Sequence, residues 1–352
     1  MNRLAASPRF QAVCARVPGL RGIARAEGAA IFDLMAGFVR SQVLSALVEL
    51  RVLAVLADGP AGVPALALRC GVPEARMAVL AQAGAGIGLL KRLRDGRFAL
   101  ARRGAAFLGV PGLEALVRHH SVLYRDLSDA TAFFKGESDP DLARFWPYVF
   151  GAGAAQDPDT AARYSRLMAD TQAMVAADTL DAVPLAGRAH LMDVGGGTGA
   201  FLRAVRARHP SLALTLFDLP AVVAAAPLPE GITRAPGSFR DDPLPTGPDT
   251  ISLVRVLYDH DDSTVGALLA KVAGALPPGG HLIVSEPMSG GAQPDPQTDV
   301  YFSVYTLAMQ TGRTRSADQI AGMLRQAGFG AISIHPARRR YVTQVVTAQR
   351  PN

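Results

Sequence analysis

The spacing of apolar residues changes along this chain. Between residues 31 and 57 (Ile31, Leu34 and Met35 through Val52, Leu53, Val55 and Leu56) it is helical, and it stops at Asp58-Gly59-Pro60. A short helix over Val63–Cys70, the turn Gly71-Val72-Pro73 and a helix from about Glu74 to Gly84 are predicted next. Apolar runs at 88–93 and 98–100 flank Arg94-Asp95-Gly96-Arg97, and an Asp-Gly pair in that setting predicts a hairpin. Helix, turn, helix and hairpin form a winged-helix pattern. Residues 1–30 are loosely organised, and 105–185 read as mostly helical with a Gly/Ala-rich break at 151–155. From about residue 188 short apolar runs at 189–193, 212–217, 250–254, 281–285 and 331–335 predict strands with helices between them, and a hairpin-like finish runs through Tyr341–Thr347. That alternation predicts a parallel sheet covered on both faces. The change of texture divides the chain into a helical domain, 1–185, and an α/β domain, 186–352.

A winged helix raises the question of DNA. Its second helix carries Met77, Val79, Leu80 and Ala81, with only Arg76 basic, whereas a helix that reads the major groove presents several polar or basic side chains. The module is therefore read as one for packing and dimerisation, with no nucleic acid as partner.

Composition narrows the class further. The chain has 352 residues, 49% of them hydrophobic, enough for two packed domains. Two cysteines, Cys14 and Cys70, provide neither a disulfide framework nor a metal cluster, in keeping with a reducing cytoplasm. No uncharged apolar run approaches the ~18 residues of a spanning helix, and the N-terminus lacks a signal-peptide core. The net charge of +6 fits simple solubility first, then attraction to an anionic membrane surface, and last nucleic-acid binding.

The chemistry concentrates at Leu191-Met192-Asp193-Val194-Gly195-Gly196-Gly197-Thr198-Gly199, where an apolar strand breaks into glycines and a helix begins at Ala200-Phe201-Leu202. Glycines let backbone approach a ligand, and the helix N-terminus offers unpaired N–H groups, as a nucleotide-like cofactor requires. A second strand, Leu214-Thr215-Leu216-Phe217, runs into Asp218, the position of a ribose-binding acid, with Leu219 beside it. Gly237-Ser238-Phe239 reads as an adenine pocket, Phe239 on the ring face and Ser238 near the exocyclic amine. Alternatively, these groups close turns, cap helices or fill the core.

With Leu257-Tyr258-Asp259-His260-Asp261-Asp262, Gly279-Gly280-His281-Leu282-Ile283-Val284-Ser285-Glu286-Pro287 and Ala327-Gly328-Phe329, this layout resembles the two-domain O-methyltransferases of plant phenols and bacterial secondary metabolites. The resemblance runs from about residue 30 to the end. It implies a Rossmann-like class I methyltransferase domain preceded by a helical, winged-helix dimerisation domain, acting as a homodimer. The implied cofactor is S-adenosyl-L-methionine, released as S-adenosyl-L-homocysteine. Asp193, Gly195, Gly197, Asp218, Leu219, Ser238, Phe239 and Arg255 are the implied cofactor contacts, and no metal is expected.

The catalytic positions depart from that family. Phenol-methylating members place a general-base histidine where Tyr258 stands; here the histidine is His260. The supporting acid is present as Glu286, but a second acid is replaced by Thr314. The run through Tyr258 and the segments 285–291 and 299–305 are similar to the purple-bacterial demethylspheroidene (hydroxyneurosporene) O-methyltransferases of carotenoid synthesis, which implies methylation of a tertiary alcohol on an acyclic carotenoid. Tyr258 is expected to orient that hydroxyl, and His260, or Glu286 through a neighbour, to receive its proton late. Trp146, Phe150, Tyr164 and Met168, with Tyr301, Phe302, Tyr305 and Met309 on one helix face, are candidates to line a long apolar pocket or to be plain core. His119 and His120 are read as structural or at the pocket rim. A lipophilic substrate would place the protein in the cytoplasm, at most peripherally on the inner or photosynthetic membrane. Three alternatives remain: a phenolic or polyketide O-methyltransferase, a bacteriochlorophyll-precursor C-methyltransferase, and a non-catalytic S-adenosylmethionine sensor.

Overall fold

The computed structural model describes residues 2–145 and 171–352. These fold as two compact units, Met1–Arg118 and His119–Asn352. Residues 119–145 thus join the α/β unit, although their helical texture had grouped them with the N-terminal domain.

The first unit begins with α1 (Asn2–Ala5), α2 (Pro8–Arg16), α3 (Leu20–Met35), α4 (Gly37–Glu49) and α5 (Val52–Ala57). The winged-helix pattern follows as α6 (Val63–Cys70), α7 (Glu74–Gly86), β1 (Leu90–Arg92) and β2 (Phe98–Leu100), then α8 (Arg102–Leu108) and the first turns of α9 (Leu113–Asp126). β1 and β2 pair antiparallel with Leu90 opposite Leu100, and Gly96 takes the positive φ their turn requires. Leu47, Leu53, Leu66, Met77, Ala81, Leu90 and Phe98 form the core. Met77 and Ala81 therefore point inward, while Val79 is exposed on the opposite side of α7.

The second unit contains the rest of α9, α10 (Ala130–Lys135), α11 (Asp141–Phe145) and a helix described over 171–182 (α12). The sheet follows: β3 (His190–Val194), α13 (Ala200–Arg208), β4 (Ala213–Asp218), α14 (Pro220–Ala225), β5 (Ile232–Pro236), β6 (Thr250–Val254), α15 (Asp262–Ala275) and β7 (His281–Glu286). It closes with α16 (Thr298–Met309), α17 (Ala317–Gln326), β8 (Gly330–Ile334) and β9 (Gln344–Gln349). The strand order is β5-β4-β3-β6-β7-β9-β8, parallel except for β9, which runs antiparallel to both neighbours. β5 is an edge strand that the apolar pattern did not single out. Along β3, Leu191 enters one core layer with Phe201 and Leu214, while Met192 enters the other with Ile251 and Leu268. This alternation is what covering a sheet on both faces demands. β3 lies between β4 and β6, so the chain reverses direction of travel across the sheet there. Ligands bind at such a switch point, beyond the carboxyl ends of the strands.

Gly104 on α8 marks the tightest contact of the first unit. A Cβ there would lie 2.2 Å from the Leu89 carbonyl oxygen. Gly104→Ala is expected to lower the chemical-denaturation midpoint by ~1–3 kcal/mol of stability, because the backbone clash outweighs the ~1 kcal/mol that alanine contributes to a helix.

Candidate active site

The site is built from loops at the carboxyl ends of β3, β4, β6 and β7. After β3 the backbone turns through Gly195, Gly197 and Gly199, all at positive φ. A Cβ on Gly196 would sit 2.4 Å from the Asp193 Oδ2, whereas one on Gly197 would enter open space. Asp218 holds this turn in place: its Oδ2 accepts the Gly197 N–H at 2.7 Å and its Oδ1 the Leu219 N–H at 2.7 Å. Asp193 is buried, and its Oδ1 accepts from the Ser252 hydroxyl at 2.6 Å. Its Oδ2 has no partner among the described residues, and burial raises its pKa to about 7.

The loop after β5 is a built turn. The Ser238 hydroxyl donates to Asp241 at 2.9 Å, and the Ser238 N–H donates to Asp242 at 2.8 Å. Lys271 on α15 donates to the carbonyls of Phe239, Arg240 and Asp242, each at 2.8 Å. The Ser238 hydroxyl is therefore committed to its turn. Phe239 packs on the core and meets the His260 ring edge-on, with centroids 5.2 Å apart.

This placement corrects the expectation for His260. Its Nδ1 accepts from Arg240 at 3.0 Å, which makes Nε2 the protonated nitrogen. Burial, together with Arg240, lowers its pKa to about 4. With Nδ1 taken by Arg240 and Nε2 protonated, the ring has no lone pair left for the substrate's proton and supports the Phe239 loop instead. Nor does it cap the next helix, since Asp261 does so by accepting the Thr264 N–H at 2.7 Å.

The catalytic candidates meet in the turn after β6. Arg255 leaves the strand at φ +58°. Val256 and Leu257 then donate their N–H groups to Glu286 Oε1 at 2.9 and 2.8 Å. Glu286 ends β7, is buried, and has a pKa raised by burial to about 8. Its Oε2 lacks a partner among the described residues, so in the neutral acid that oxygen carries the proton. Arg255 donates to the Tyr258 hydroxyl at 3.3 Å and to Thr171 on α12 at 3.1 Å, and its guanidinium lies 5.8 Å from the Tyr258 ring centre. Asp259 follows Tyr258 in the turn, and burial raises its pKa to about 7. Burial also drives the Tyr258 hydroxyl well above the ordinary phenol value.

The 310–315 segment locks this turn from below. Arg313 N–H donates to the Tyr258 carbonyl at 2.8 Å, and Gly312 packs so closely that a Cβ would lie 2.3 Å from that same oxygen. The buried Arg315 donates to the carbonyls of Leu257 and His260 at 2.9 and 2.8 Å and pairs with Asp262 at 2.6 Å. Thr314 lies 3.3 Å from the Thr306 hydroxyl, a neutral contact where the resemblance expects an acid. Asp259 and Arg315 were missed by sequence reasoning. The only available signal was Asp259's adjacency to Tyr258.

On α16, Tyr301 and Tyr305 stack at 5.8 Å, Phe302 meets Tyr301 edge-on at 5.0 Å, and Phe302 also meets Tyr258 edge-on at 6.5 Å. His119 and His120 each hold one tyrosine hydroxyl at 2.7 Å, Tyr305 and Tyr301 respectively. Burial lowers both imidazole pKa values, His119's to about 4, so both are neutral at ordinary pH. Met309 is buried with Leu123 and Phe133, a core residue more than a pocket wall. Trp146, Phe150, Tyr164 and Met168 lie outside the described residues.

Residues 124–330 match the family model of the O-methyltransferase domain, and residues 32–109 match that of the O-methyltransferase dimerisation domain. The chain is 59% identical to the demethylspheroidene O-methyltransferase of Cereibacter sphaeroides, over 99% of this chain and 94% of that protein. It is 56% identical to the enzyme of the same name from Rhodobacter capsulatus, over 99% of this chain and 89% of that one. Among solved structures, human N-acetylserotonin methyltransferase in complex with SAM superposes with a TM-score of 0.80 at 23% identity, covering 93% of this chain and 98% of that one. That likeness speaks for the fold.

The Glu286 carboxyl makes a pH-dependent contribution to stability. Its folded pKa of about 8 lies above the ~4.3 of an unfolded glutamate, so the folded state holds more protons between those values. Its contribution is complete below about pH 4 and is lost as pH rises toward 8. Thermal melts of Glu286→Gln should show a smaller loss between pH 5 and 8 than the parent, by on the order of a few kcal/mol.

Proposed function

The chain belongs to the two-domain O-methyltransferase family, and from that premise we propose that it methylates the tertiary hydroxyl of an acyclic hydroxycarotenoid of the demethylspheroidene type. The observation that carries this reading is identity of 59% and 56% over 99% of the chain to two demethylspheroidene O-methyltransferases. The dimerisation domain supports a homodimer. A lipophilic acceptor argues for a cytoplasmic protein working peripherally at the inner or photosynthetic membrane.

S-Adenosylmethionine supplies an electrophilic methyl group on a sulfonium sulfur. The residues present fit this cofactor: Gly197 opens onto free space, Gly196 leaves no room for a side chain against Asp193, and an orphaned Asp193 oxygen is buried beneath the turn. In this reading the turn 195–199 and Asp218 would hold its polar part and Phe239 its base. Each Asp218 oxygen has a further lone pair, which would accept a ribose hydroxyl.

The acceptor chemistry follows from what Tyr258 has left to give. Its hydroxyl accepts one N–H from Arg255, and the Asp259 carboxyl is the next side chain in the turn. A phenol oxygen has a second lone pair, which can accept the O–H of a substrate alcohol. The alcohol oxygen is thereby oriented while its own lone pairs remain available for attack. A tertiary alcohol is far less acidic than a phenol, so no side chain here removes its proton beforehand. Once the oxygen is methylated its proton becomes strongly acidic, and a weak base suffices to take it. In this reading the proton passes to the Tyr258 oxygen as the tyrosine's own proton passes to the neighbouring Asp259 carboxylate. Tyr258, held far above its usual pKa, remains a neutral relay. Alignment in a dry site is then the main source of rate.

Two measurements test this. Methyl transfer from labelled S-adenosylmethionine to 1-hydroxyneurosporene, run beside a catechol and a chlorophyllide, should label the carotenoid alone; label in either competitor overturns the acceptor assignment. Tyr258→Phe should lower kcat by ~10²–10³-fold with cofactor affinity nearly unchanged. Activity should also fall below pH 7 as Asp259 takes up a proton, and Asp259→Asn should abolish that acid limb.

A further inference from the structure

The positive charge of this protein is not spread over its surface. Residues 2–30 contain five arginines (Arg3, Arg9, Arg16, Arg21 and Arg25) and one acid, Glu27, against a net charge of +6 for the whole chain. Most of the excess thus lies in the first tenth of the sequence. The same segment is the least buried: between Arg3 and Arg40 no residue is buried.

Its helices are nonetheless apolar on one side. On α2, Phe10 and Val13 follow helical spacing, with Val17 just past the helix end and Arg9 and Arg16 beside that stripe. On α3, Leu20, Ile23 and Ile31 form a second stripe, with Arg21 and Arg25 on the other face of the helix. α2 packs against α3 through a turn at Val17-Pro18-Gly19, where Gly19 takes φ +91°. No single described helix is long and apolar enough to cross a membrane. Exposed apolar stripes on helices whose remaining surface carries arginines instead match helices that lie in the plane of a bilayer surface, with guanidinium groups reaching the headgroups.

We propose that the α2–α3 hairpin is a surface for anionic lipid, and that it docks the enzyme on a membrane. The competing occupant is a second copy of the chain. Two observations favour lipid. A two-fold interface places the same patch on both partners, and so would bring together two segments that each hold five arginines and one acid. The family's dimerisation domain begins at residue 32, beyond these arginines and beyond the α2 stripe. The exposed Phe32, Leu34, Met35 and Phe38 fall within that domain and are left to the dimer. The purpose of docking rests on the reading of a membrane-dissolved acceptor, but lipid binding itself is measured without one.

The test uses the full-length protein and extruded vesicles, phosphatidylglycerol mixed with phosphatidylcholine against phosphatidylcholine alone, in a flotation assay. The protein should float with the anionic vesicles and less so at high salt. The triple variant Arg9→Gln, Arg16→Gln, Arg21→Gln should weaken that partition on the order of a hundredfold. Phe10→Asp with Val13→Asp should abolish it. Both variants should retain the parental mass by light scattering and the parental activity on a detergent-dispersed acceptor. Flotation equal to the parent's in both variants, or no binding of the parent to anionic vesicles, overturns the proposal. A lower mass in the Phe10→Asp, Val13→Asp variant also overturns it, by assigning the face to a second copy.

Discussion

The site depends on one buried carboxyl. Glu286 accepts two successive backbone N–H groups, Val256 and Leu257, through a single oxygen. This fixes the chain where β6 gives way to the turn that carries Tyr258 and Asp259. Those N–H groups are buried and would otherwise be unpaired. Arg255 must take a left-handed conformation to enter the turn, and such a conformation persists only where its surroundings determine it. Glu286 supplies that determination from above. Arg315 supplies it from below, by holding the carbonyls of Leu257 and His260. The acid's role is therefore chiefly positional, and a raised pKa suits it, because a neutral carboxyl tolerates burial better than a carboxylate.

What was legible in the sequence was local. The glycine turn, Asp218 and the strand–helix alternation each announce themselves within a few residues, and the structure places them together as the spacing implies. β5 was not singled out because Ile232-Thr233-Arg234-Ala235-Pro236 is short and half exposed, an edge strand that has no need of a continuous apolar run. Arg315 escaped notice because its function is wholly tertiary: a guanidinium reaching back more than fifty residues to two carbonyls carries no mark in its neighbours. His260 misled for the opposite reason. A histidine beside a catalytic position resembles a displaced base until the structure shows Arg240 on its Nδ1.

The same groups explain how the chain departs from a histidine-based design without losing its chemistry. A histidine base suits an acceptor near pKa 10, since it can share the proton before attack. A tertiary alcohol offers no such early step, so a strong base in its place would have little to act on. Most of the titratable groups here are instead uncharged at ordinary pH. Tyr258 is protonated, Glu286 is largely so, Asp259 is balanced near 7, and His119, His120 and His260 are uncharged. Arg255 is the cation of this set, and it lies against the Tyr258 ring, where a cation keeps a favourable partner at little cost in solvation. A polyene acceptor sheds its lipid surroundings to enter such a site and gains most from walls of low charge.

Neutrality at the site and positive charge at the N-terminus are two answers to one constraint. The cofactor is water-soluble and the acceptor is not, so the enzyme meets its substrates in different phases. If charge served only solubility, it would be interspersed over the surface. Here five arginines share the first 25 residues with exposed Phe10, Val13, Leu20 and Ile23, a combination that gains little in water. Against an anionic bilayer both halves gain, the arginines from the headgroups and the apolar side chains from the acyl boundary. A reaction whose rate comes from alignment can also be limited by the supply of an acceptor too insoluble to diffuse to it. A lipid-docked hairpin relieves that limit without altering any residue of the site.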